Sequence, residues 1–478
     1  MVGKFAKRLA SLMAATMLSF GNADALTLQE AIAVAVESNP EIGQAVENRE
    51  AIEFELRQAK GLYLPSVDLE ASAGVRRLDS PTRRTLSTED DALYPADAGL
   101  TVTQKLYDHG ARRAELTRQA SRVDGASFRV FERSEFIALT VVQDYLEYML
   151  QTLIVSEANK NLAFHQSILG DIEESIRGGA LTDADRQQAD ERLFAARARV
   201  IEAAEELEAS KIRFFKTVGK PLTAATRPSS VAKSLPRSLD DAVGLARQNN
   251  PRVNIANSDI DAAAAGVDAA RAKFGPEIVA EGRARTGYDI DGAEEETNEL
   301  QARLVLRWNL YRGGIDKANE QEQIRRASEQ RMVLHQVYRE IEEAVRTSWD
   351  RRFRQAELAK TLRQQASASE RLVASYQEQF NVGQRSLLDV LDAQNTRFNT
   401  ATLADTASYA SLFAEYRLLA ATGQLLKTMN VAPAKQSNGY ARTEFKVPET
   451  AATETYARTP SEQRNDLPFD ILAPVRRK

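Results

Sequence analysis

Phe380–Gln394, with the sequence FNVGQRSLLDVLDAQ, lies in a helix-forming segment that contains no proline between Pro276 and Pro433. Gly383 interrupts this segment, and glycine readily adopts the positive φ at which a helix ends and the chain folds back. Ser386 is a favourable N-cap for a second helix. The stretch therefore predicts the tip of a helical hairpin.

A second tip of the same kind precedes this one by 204 residues. Gly178, Gly179, Leu181, Thr182 and Asp185 repeat the order of the later stretch. Other blocks repeat as well, since Asn39-Pro40 and Pro65 return as Asn250-Pro251 and Pro276, 211 residues on. An internal repeat of this length indicates two copies of one structural unit. We therefore divide the chain into a first repeat (26–219), a linker (220–236), a second repeat (237–430) and a tail (431–478), with hairpin tips at about 178–185 and 380–392.

Composition restricts the compartment and the class of protein. The chain has 478 residues, no cysteine and three scattered histidines, so neither disulfides nor thiolate metal sites are possible. Three basic residues precede an apolar run that ends at Phe20, and Ala23-Asp24-Ala25 offers a cleavage site, so residues 1–25 are predicted to be a signal peptide. The alternative is a buried N-terminal helix. Cleavage would move the formal charge from −5 to −7, which does not favour nucleic-acid binding.

Four segments alternate apolar and polar residues with a period of two, at about 66–76, 99–107, 277–288 and 299–311. Each is about as long as a tilted membrane strand. The apolar face would meet lipid and the charged face water, although an ordinary half-buried sheet gives the same alternation. The intervening segments, Arg77–Ala98 and Asp289–Glu299, are polar and suit solvent-facing loops.

Four strands cannot close a membrane barrel, and an open sheet cannot stand in lipid with unpaired edges. If the sheet is in a membrane, several chains must share it, and three chains supply twelve strands. The intervals Gly110–Gly179 and Gly314–Gly383 each correspond to about 100 Å of helix. The sequence thus predicts a mostly α fold with a membrane β-sheet. The tail has five prolines among Thr, Ala and Glu and is predicted to be partly disordered.

Motifs for catalysis are missing from the sequence. It contains no GxGxxG, no GxxxxGK[ST], no HExxH and no cysteine nucleophile. We expect no enzymatic activity, no cofactor and no bound metal.

At the second tip, VGQRSLLDVLDAQ closely resembles the corresponding motif of the TolC family of trimeric outer membrane export ducts; the first tip, GGALTDADRQQAD, is similar more loosely. The resemblance covers about Leu26 to Met429. It implies internally duplicated helical hairpins that form an α-barrel tunnel across the periplasm, topped by a twelve-strand β-barrel in the outer membrane of a Gram-negative cell. It also implies a homotrimer that works with a periplasmic adaptor and an inner-membrane transporter. The general style of the sequence and the missing lipobox cysteine favour members that serve type I protein secretion.

The resemblance also implies roles for tip residues. Arg385 falls on the arginine that holds the closed state through bonds to a neighbouring hairpin, and Asp185 on the aspartate that receives such bonds. Asp389 and Asp392 fall on the two aspartates that ring the constriction. Phe380 replaces a tyrosine of the best-known member and therefore lacks its hydroxyl. Gly179 and Gly383 are the tip glycines. The alternative for the aspartates is a solvated helix face near the positive end of the helix dipole.

Two functions from different classes remain open from the sequence. The favoured one is an export channel for proteins or small molecules. The other is an exported periplasmic coiled-coil scaffold or adaptor with a small β domain, which would keep the helices without needing lipid-facing strands.

Overall fold

The computed structural model describes residues 26–179, 181–291 and 295–448. The predicted signal peptide and residues 449–478 of the predicted tail lie outside the described residues. In the described part, no helix is both long and apolar enough to cross a membrane.

Each repeat contains four main helices in the same order. Two shorter helices come first, separated at Asn39-Pro40 in one repeat and Asn250-Pro251 in the other. A 67-residue helix follows the strands, and a return helix follows the tip. The bounds in the first repeat are α1 (Leu28–Ser38), α2 (Pro40–Gly61), α4 (Ala111–Arg177) and α5 (Asp183–Val218). In the second repeat they are α6 (Leu239–Asn249), α7 (Pro251–Ala272), α8 (Ile315–Asn381) and α9 (Leu387–Ala421).

Four long strands form one antiparallel sheet in the order β1-β4-β5-β6. They are β1 (Ser66–Ala73), β4 (Ala96–Tyr107), β5 (Glu277–Tyr288) and β6 (Glu296–Arg307). The register places Val67 opposite Val102, Val102 opposite Gly282 and Gly282 opposite Ala302, so small and apolar residues share one face. On the other face, Arg303 and Arg307 both pair with Glu281, at 2.7 and 3.1 Å.

The segment that joins β1 to β4 is folded, whereas the sequence predicted only a polar loop. It contains β2 (Arg76–Arg77), α3 (Pro81–Leu86) and β3 (Ala92–Leu93), and β2 pairs with β3. Leu93 of β3 is fully buried. Arg83 is also buried, and its guanidinium donates to the carbonyl oxygens of Thr88 and, at 3.0 Å, Asp91. This otherwise polar segment thus buries one leucine and one hydrogen-bonded arginine.

Two further predictions concern the C-terminal part. The helix-forming sequence after Ser386 predicts a return helix that reaches about Met429, but α9 ends at Ala421, and Gly423 then adopts a φ of 68° while its N–H donates to the carbonyl of Ala420. A short helix, α10 (Leu425–Thr428), follows. The tail was predicted to be partly disordered; its residues up to 448 are described, and a segment of them packs on α2 and α4.

This docked segment, residues 439–447, contains α11 (Ala441–Glu444). Ala441 and Val447 join a buried cluster with Ile52, Leu56 and Val123. The segment is held because Asp124 accepts hydrogen bonds from the backbone N–H groups of its first turn. These donors are Tyr440 at 2.7 Å, Ala441 at 2.8 Å and Arg442 at 3.2 Å. Buried carboxylate bonds of this kind leave no periodic signal in the sequence.

The chain divides into two compact units. One consists of 26–43, 133–250 and 341–434 and contains both hairpin tips. Its core includes Tyr145, whose hydroxyl donates to Leu26 O at 2.7 Å and accepts from Thr226 N at 2.9 Å. The other unit consists of 44–132, 251–340 and 435–448 and contains the sheet and the docked segment.

Candidate functional site: the hairpin tips

Both hairpins turn at a glycine in the left-handed region. Gly179 has a φ of 78° and Gly383 a φ of 74°. After α8, the N–H of Gly383 donates to Phe380 O at 2.9 Å and the N–H of Gln384 to Gln379 O at 2.8 Å. These two bonds satisfy carbonyls that the end of the helix leaves free, and they require the positive φ that glycine allows. The turn is therefore set by the glycine itself.

The return helices begin at hydroxyl caps. The Ser386 hydroxyl accepts from the N–H of Asp389 at 3.2 Å and donates to its carboxylate at 2.8 Å. In the first tip, the N–H and the hydroxyl of Thr182 donate to Asp185 Oδ2 at 2.8 and 2.7 Å. The backbone bond from Thr182, followed by its hydroxyl bond, lowers the pKa of Asp185 below its ordinary value. Asp185 and Asp389 are thus both engaged in starting their helices.

An apolar cluster joins the two hairpins. Its buried members come from the first hairpin and from α9, with partly buried side chains from α8 packed around them. The buried members are Ile168, Ile172, Ala189, Leu387, Val390 and Leu391. Phe380 packs against this cluster together with Tyr376. Its ring therefore contributes apolar contact at a position where the resemblance implied only a missing hydroxyl.

A buried polar layer lies on the same helices as the cluster. Gln394 Nε2 donates to Asn161 Oδ1 at 2.8 Å, and both residues are buried. Arg397 pairs with Glu157 at 3.1 Å, and both side chains are largely shielded. These bonds tie α9 to α4. Burial, with a smaller contribution from Arg192, lowers the pKa of the neighbouring His165 to about 4, so its ring is neutral at pH 7.

Arg385 is held within its own hairpin. Its Nε donates to Gln379 Oε1 at 3.0 Å, its guanidinium lies 4.2 Å from the centre of the Tyr376 ring, and Asp389 is 3.8 Å away. Within one chain it therefore does not contact Asp185. A bond from Arg385 to Asp185 of a neighbouring chain stays a prediction. Beside Asp185, Asp183 presents a side chain that is 81% exposed and pairs only loosely with Arg186, at 3.6 Å.

Asp392 has a partner that the sequence did not predict. Arg192 of α5 reaches across from the first hairpin, and its Nη2 lies 3.1 Å from Asp392 Oδ1. The structure thus brings Asp389, Asp392, Arg385 and Phe380 together at the second tip and adds Arg192 to them. Asp185 lies at the first tip, where its carboxylate accepts hydrogen bonds from Thr182 of the same turn.

Sequence reasoning missed the residues that cross between hairpins, namely Arg192, Asn161, Glu157, Gln394 and Arg397. Arg192 is one of several arginines on a charged helix, and no spacing distinguishes it from the others. Gln394 offered a signal, since it follows the apolar positions Leu387, Val390 and Leu391 at helical spacing and is a polar residue on a buried face. Its partner on α4 could not be read from the sequence.

The chain is similar in sequence to known outer membrane efflux and secretion proteins. The model of the family described as outer membrane efflux protein matches residues 31–220 and 242–424, which cover most of both repeats. The outer membrane efflux protein BepC of Brucella suis is 23% identical over 421 residues, 87% of this chain and 89% of that protein. The proteases secretion protein PrtF of Dickeya chrysanthemi is 22% identical over 422 residues, 85% of this chain and 90% of that protein.

The fold also matches a solved structure. The Campylobacter jejuni CmeC outer membrane channel superposes with a TM-score of 0.74 at 14% identity, with 88% of each chain covered. The predicted fold class, a mostly helical chain with a small sheet and a TolC-like architecture, is confirmed. Because the family model covers most of both repeats, the chain, a protein of the outer membrane, belongs to the outer membrane efflux protein family.

Proposed function

We propose that this protein is the outer membrane exit duct of an export system, that it works as a homotrimer, and that its cargo is protein delivered by type I secretion. An inner-membrane transporter with its periplasmic adaptor would engage the hairpin tips. No catalytic step is part of this function, and we propose that the chain is not an enzyme. Membership of the efflux family supports the channel; the trimer, the partners and the cargo are inferences from the following observations.

The observation that carries the proposal is the exposure of the sheet. Leu69, Leu300, Leu304 and Leu306 are between 62% and 88% exposed on one face, although each is strongly apolar. Lipid is the solvent that suits such a face, and the 12 residues of β6 suit a tilted membrane strand. A periplasmic scaffold would not need this face.

The edges of the sheet support the trimer. Among the described residues, β1 and β6 each have a hydrogen-bonded neighbour on one side only. Unpaired backbone groups cost several kcal/mol each in hydrocarbon, so the two edges need partners in the membrane. β1 of one copy beside β6 of the next satisfies both edges, and three copies close a ring of twelve strands, which exceeds the minimum for a membrane barrel.

The tips support a gate. Asp389 and Asp392 are half exposed, with side-chain exposures of 46% and 57%, and both lie on the helix that follows the turn of the second hairpin. Three copies would place six carboxylates around a narrow opening, and such a ring favours cations. We propose that adaptor binding separates the hairpins and widens this opening.

The cargo distinguishes two modes of export. PrtF is named for protease secretion, and BepC for efflux. Deletion of this chain should remove specific proteins from the culture medium if it serves type I secretion, and complementation should restore them. Increased susceptibility to antibiotics or detergents with an unchanged set of secreted proteins would instead assign it to small-molecule efflux. Purified protein that gives no conductance in planar bilayers, and that is stable without detergent, would support the scaffold.

A further inference from the structure

The pair Arg192–Asp392 crosses between the two hairpins of one chain. The two residues are 200 positions apart, and the joined atoms are 3.1 Å apart. Their side chains are 34% and 57% exposed, so solvent reaches the pair and ions in the pore would do so too. An exposed ion pair of this kind contributes at most about 1 kcal/mol to the free energy of unfolding. Its effect on the charge at the tip is therefore more important than its effect on stability.

The pair changes the charge of the proposed constriction. Asp392 is neutralised by Arg192, and Asp389 has Arg385 at 3.8 Å. Each carboxylate therefore has one guanidinium close to it, and the four groups carry no formal net charge. A ring of carboxylates selects cations through its field, and nearby guanidinium groups weaken that field.

The two arginines are held in different ways. Arg385 is anchored to its own helix by Gln379 and by the Tyr376 ring, so it moves with Asp389. Arg192 belongs to α5, and its other carboxylate contact is its neighbour Glu191 at 3.4 Å. Separation of the hairpins would therefore remove Arg192 from Asp392 and leave Arg385 beside Asp389. The charge at the opening depends on the distance between hairpins.

We propose that Arg192 is a selectivity-determining residue, which masks Asp392 while the hairpins are together and exposes it when they separate. This inference rests on the proposed function as a gated channel. The closed tip is then less selective for cations than its six carboxylates alone would make it. Opening unmasks one additional carboxylate per chain and makes the pore more selective for cations, including multivalent ones.

The test is planar-bilayer recording of the purified channel. It measures the reversal potential in a KCl gradient and the block by hexaamminecobalt(III) added on the tip side. Arg192→Gln should raise the cation-to-anion permeability ratio and the affinity for the blocker by roughly threefold to tenfold. Arg192→Lys keeps the charge and should resemble the wild type. Arg199→Gln is the matched control, since it removes an arginine from the same helix that pairs with Glu202 at 3.5 Å.

The double variant Arg192→Gln with Asp392→Asn isolates the pair. It removes both charges of the pair, so its selectivity should lie close to that of the wild type, whereas Asp392→Asn alone leaves an unpaired guanidinium and should lower the cation-to-anion permeability ratio. If Arg192→Gln increases conductance but leaves selectivity and block unchanged, the arginine is only a tether and the inference is wrong. If Asp389→Asn with Asp392→Asn keeps wild-type selectivity, the constriction itself lies elsewhere and the gate assignment fails. Assembled trimers without any conductance would overturn the proposed function before Arg192 is tested.

Discussion

Glu135 places a carboxylate inside the core of the unit that contains the tips. Its Oε1 accepts from the N–H of Leu426 at 3.1 Å, whereas Oε2 is buried without a hydrogen-bond partner among the described residues. Burial raises its pKa to about 7, against the opposing effect of the backbone bonds from Leu426 and Leu425. The folded state therefore favours the protonated acid.

The pH dependence of stability follows from that shift. The pKa of Glu135 is higher in the folded state than in the unfolded state. Its contribution to the free energy of unfolding is therefore fully present below about pH 4.5 and is lost as pH rises through about 7. The loss amounts to about 3 kcal/mol at most. Glu135→Gln keeps an acceptor for Leu426 and removes the charge, so it should raise the thermal midpoint at pH 8 relative to wild type, and less so at pH 5. A midpoint difference that does not vary with pH would contradict this account. Glu132→Gln, one turn earlier on α4, is the control.

Arg385 provides a second test at the scale of single residues. Arg385→Ala removes the bond to Gln379, the contact with Tyr376 and the charge beside Asp389. We expect a looser tip, with higher resting conductance and greater entry of bulky antibiotics, while trimers still form. Bilayer recording and susceptibility assays measure both effects. Conductance equal to that of the wild type would mean that Arg385 belongs to a solvated helix face and does not hold the gate.

Asp185 and Asp183 can be separated by the same recordings. Asp185 starts α5 through Thr182, whereas Asp183 is the more exposed carboxylate. If Arg385 of a neighbouring chain bonds Asp185, Asp185→Asn should raise the resting conductance, whereas Asp183→Asn should leave it unchanged.

At the scale of elements, the two faces of β6 differ in what they tolerate. Leu304 is 71% exposed and faces lipid in the proposed barrel, so Leu304→Arg should cost roughly 2–4 kcal/mol near the midplane and reduce membrane assembly. Arg303→Leu should be tolerated better, since Glu281 keeps Arg307 at 3.1 Å. The amount of trimer extracted from outer membranes measures both. Equal loss in the two variants would show that the lipid and water faces are misassigned.

The docked C-terminal segment makes a second prediction about an element. Asp124 is 4% exposed at its side chain and pairs with Arg442 at 3.1 Å, and Arg442 also pairs with Asp261 at 2.7 Å. Asp124→Ala removes the acceptor of three backbone N–H groups and one partner of a buried arginine, which typically costs about 3–5 kcal/mol. The segment should then detach.

Limited trypsin digestion with mass spectrometry measures this detachment as cleavage after Arg442. Glu444→Gln is the control, because it removes only the exposed pair with Lys60 at 3.4 Å and should change stability by less than about 1 kcal/mol. Rapid cleavage after Arg442 in the wild type would contradict the docking.

At the scale of the whole molecule, the sheet requires other copies. We expect a trimer in detergent that survives mild SDS and dissociates on heating, because twelve strands joined by backbone hydrogen bonds resist the detergent until the barrel opens. Electrophoresis with and without heating, together with mass measurement in detergent, is the test. A monomer that stays monodisperse without detergent would disprove the membrane channel.

The sequence by itself determined the features that repeat along the chain. The positions of glycine and proline predicted where helices end and turn. The positive φ of glycine and the missing N–H of proline act on the local backbone, so they can be read from the sequence. Apolar and polar residues that alternate with a period of two distinguished the strands from the helices. Because the sequence is duplicated, these predictions could be made in both repeats. The fold class followed from these local rules, and the family confirmed it.

The tertiary structure alone decided which distant side chains meet. Arg192 pairs with Asp392, Gln394 with Asn161 and Asp124 with the segment at Tyr440, across separations of 200, 233 and 316 residues. The folded loop around Arg83 and the docked segment likewise depend on single buried polar groups. Such contacts carry no period, because one carboxylate in the right place satisfies several donors wherever they lie in the sequence. Local propensity determines the helices and strands. The charge at the tip depends on side chains of different helices, which come close to each other only in the folded chain.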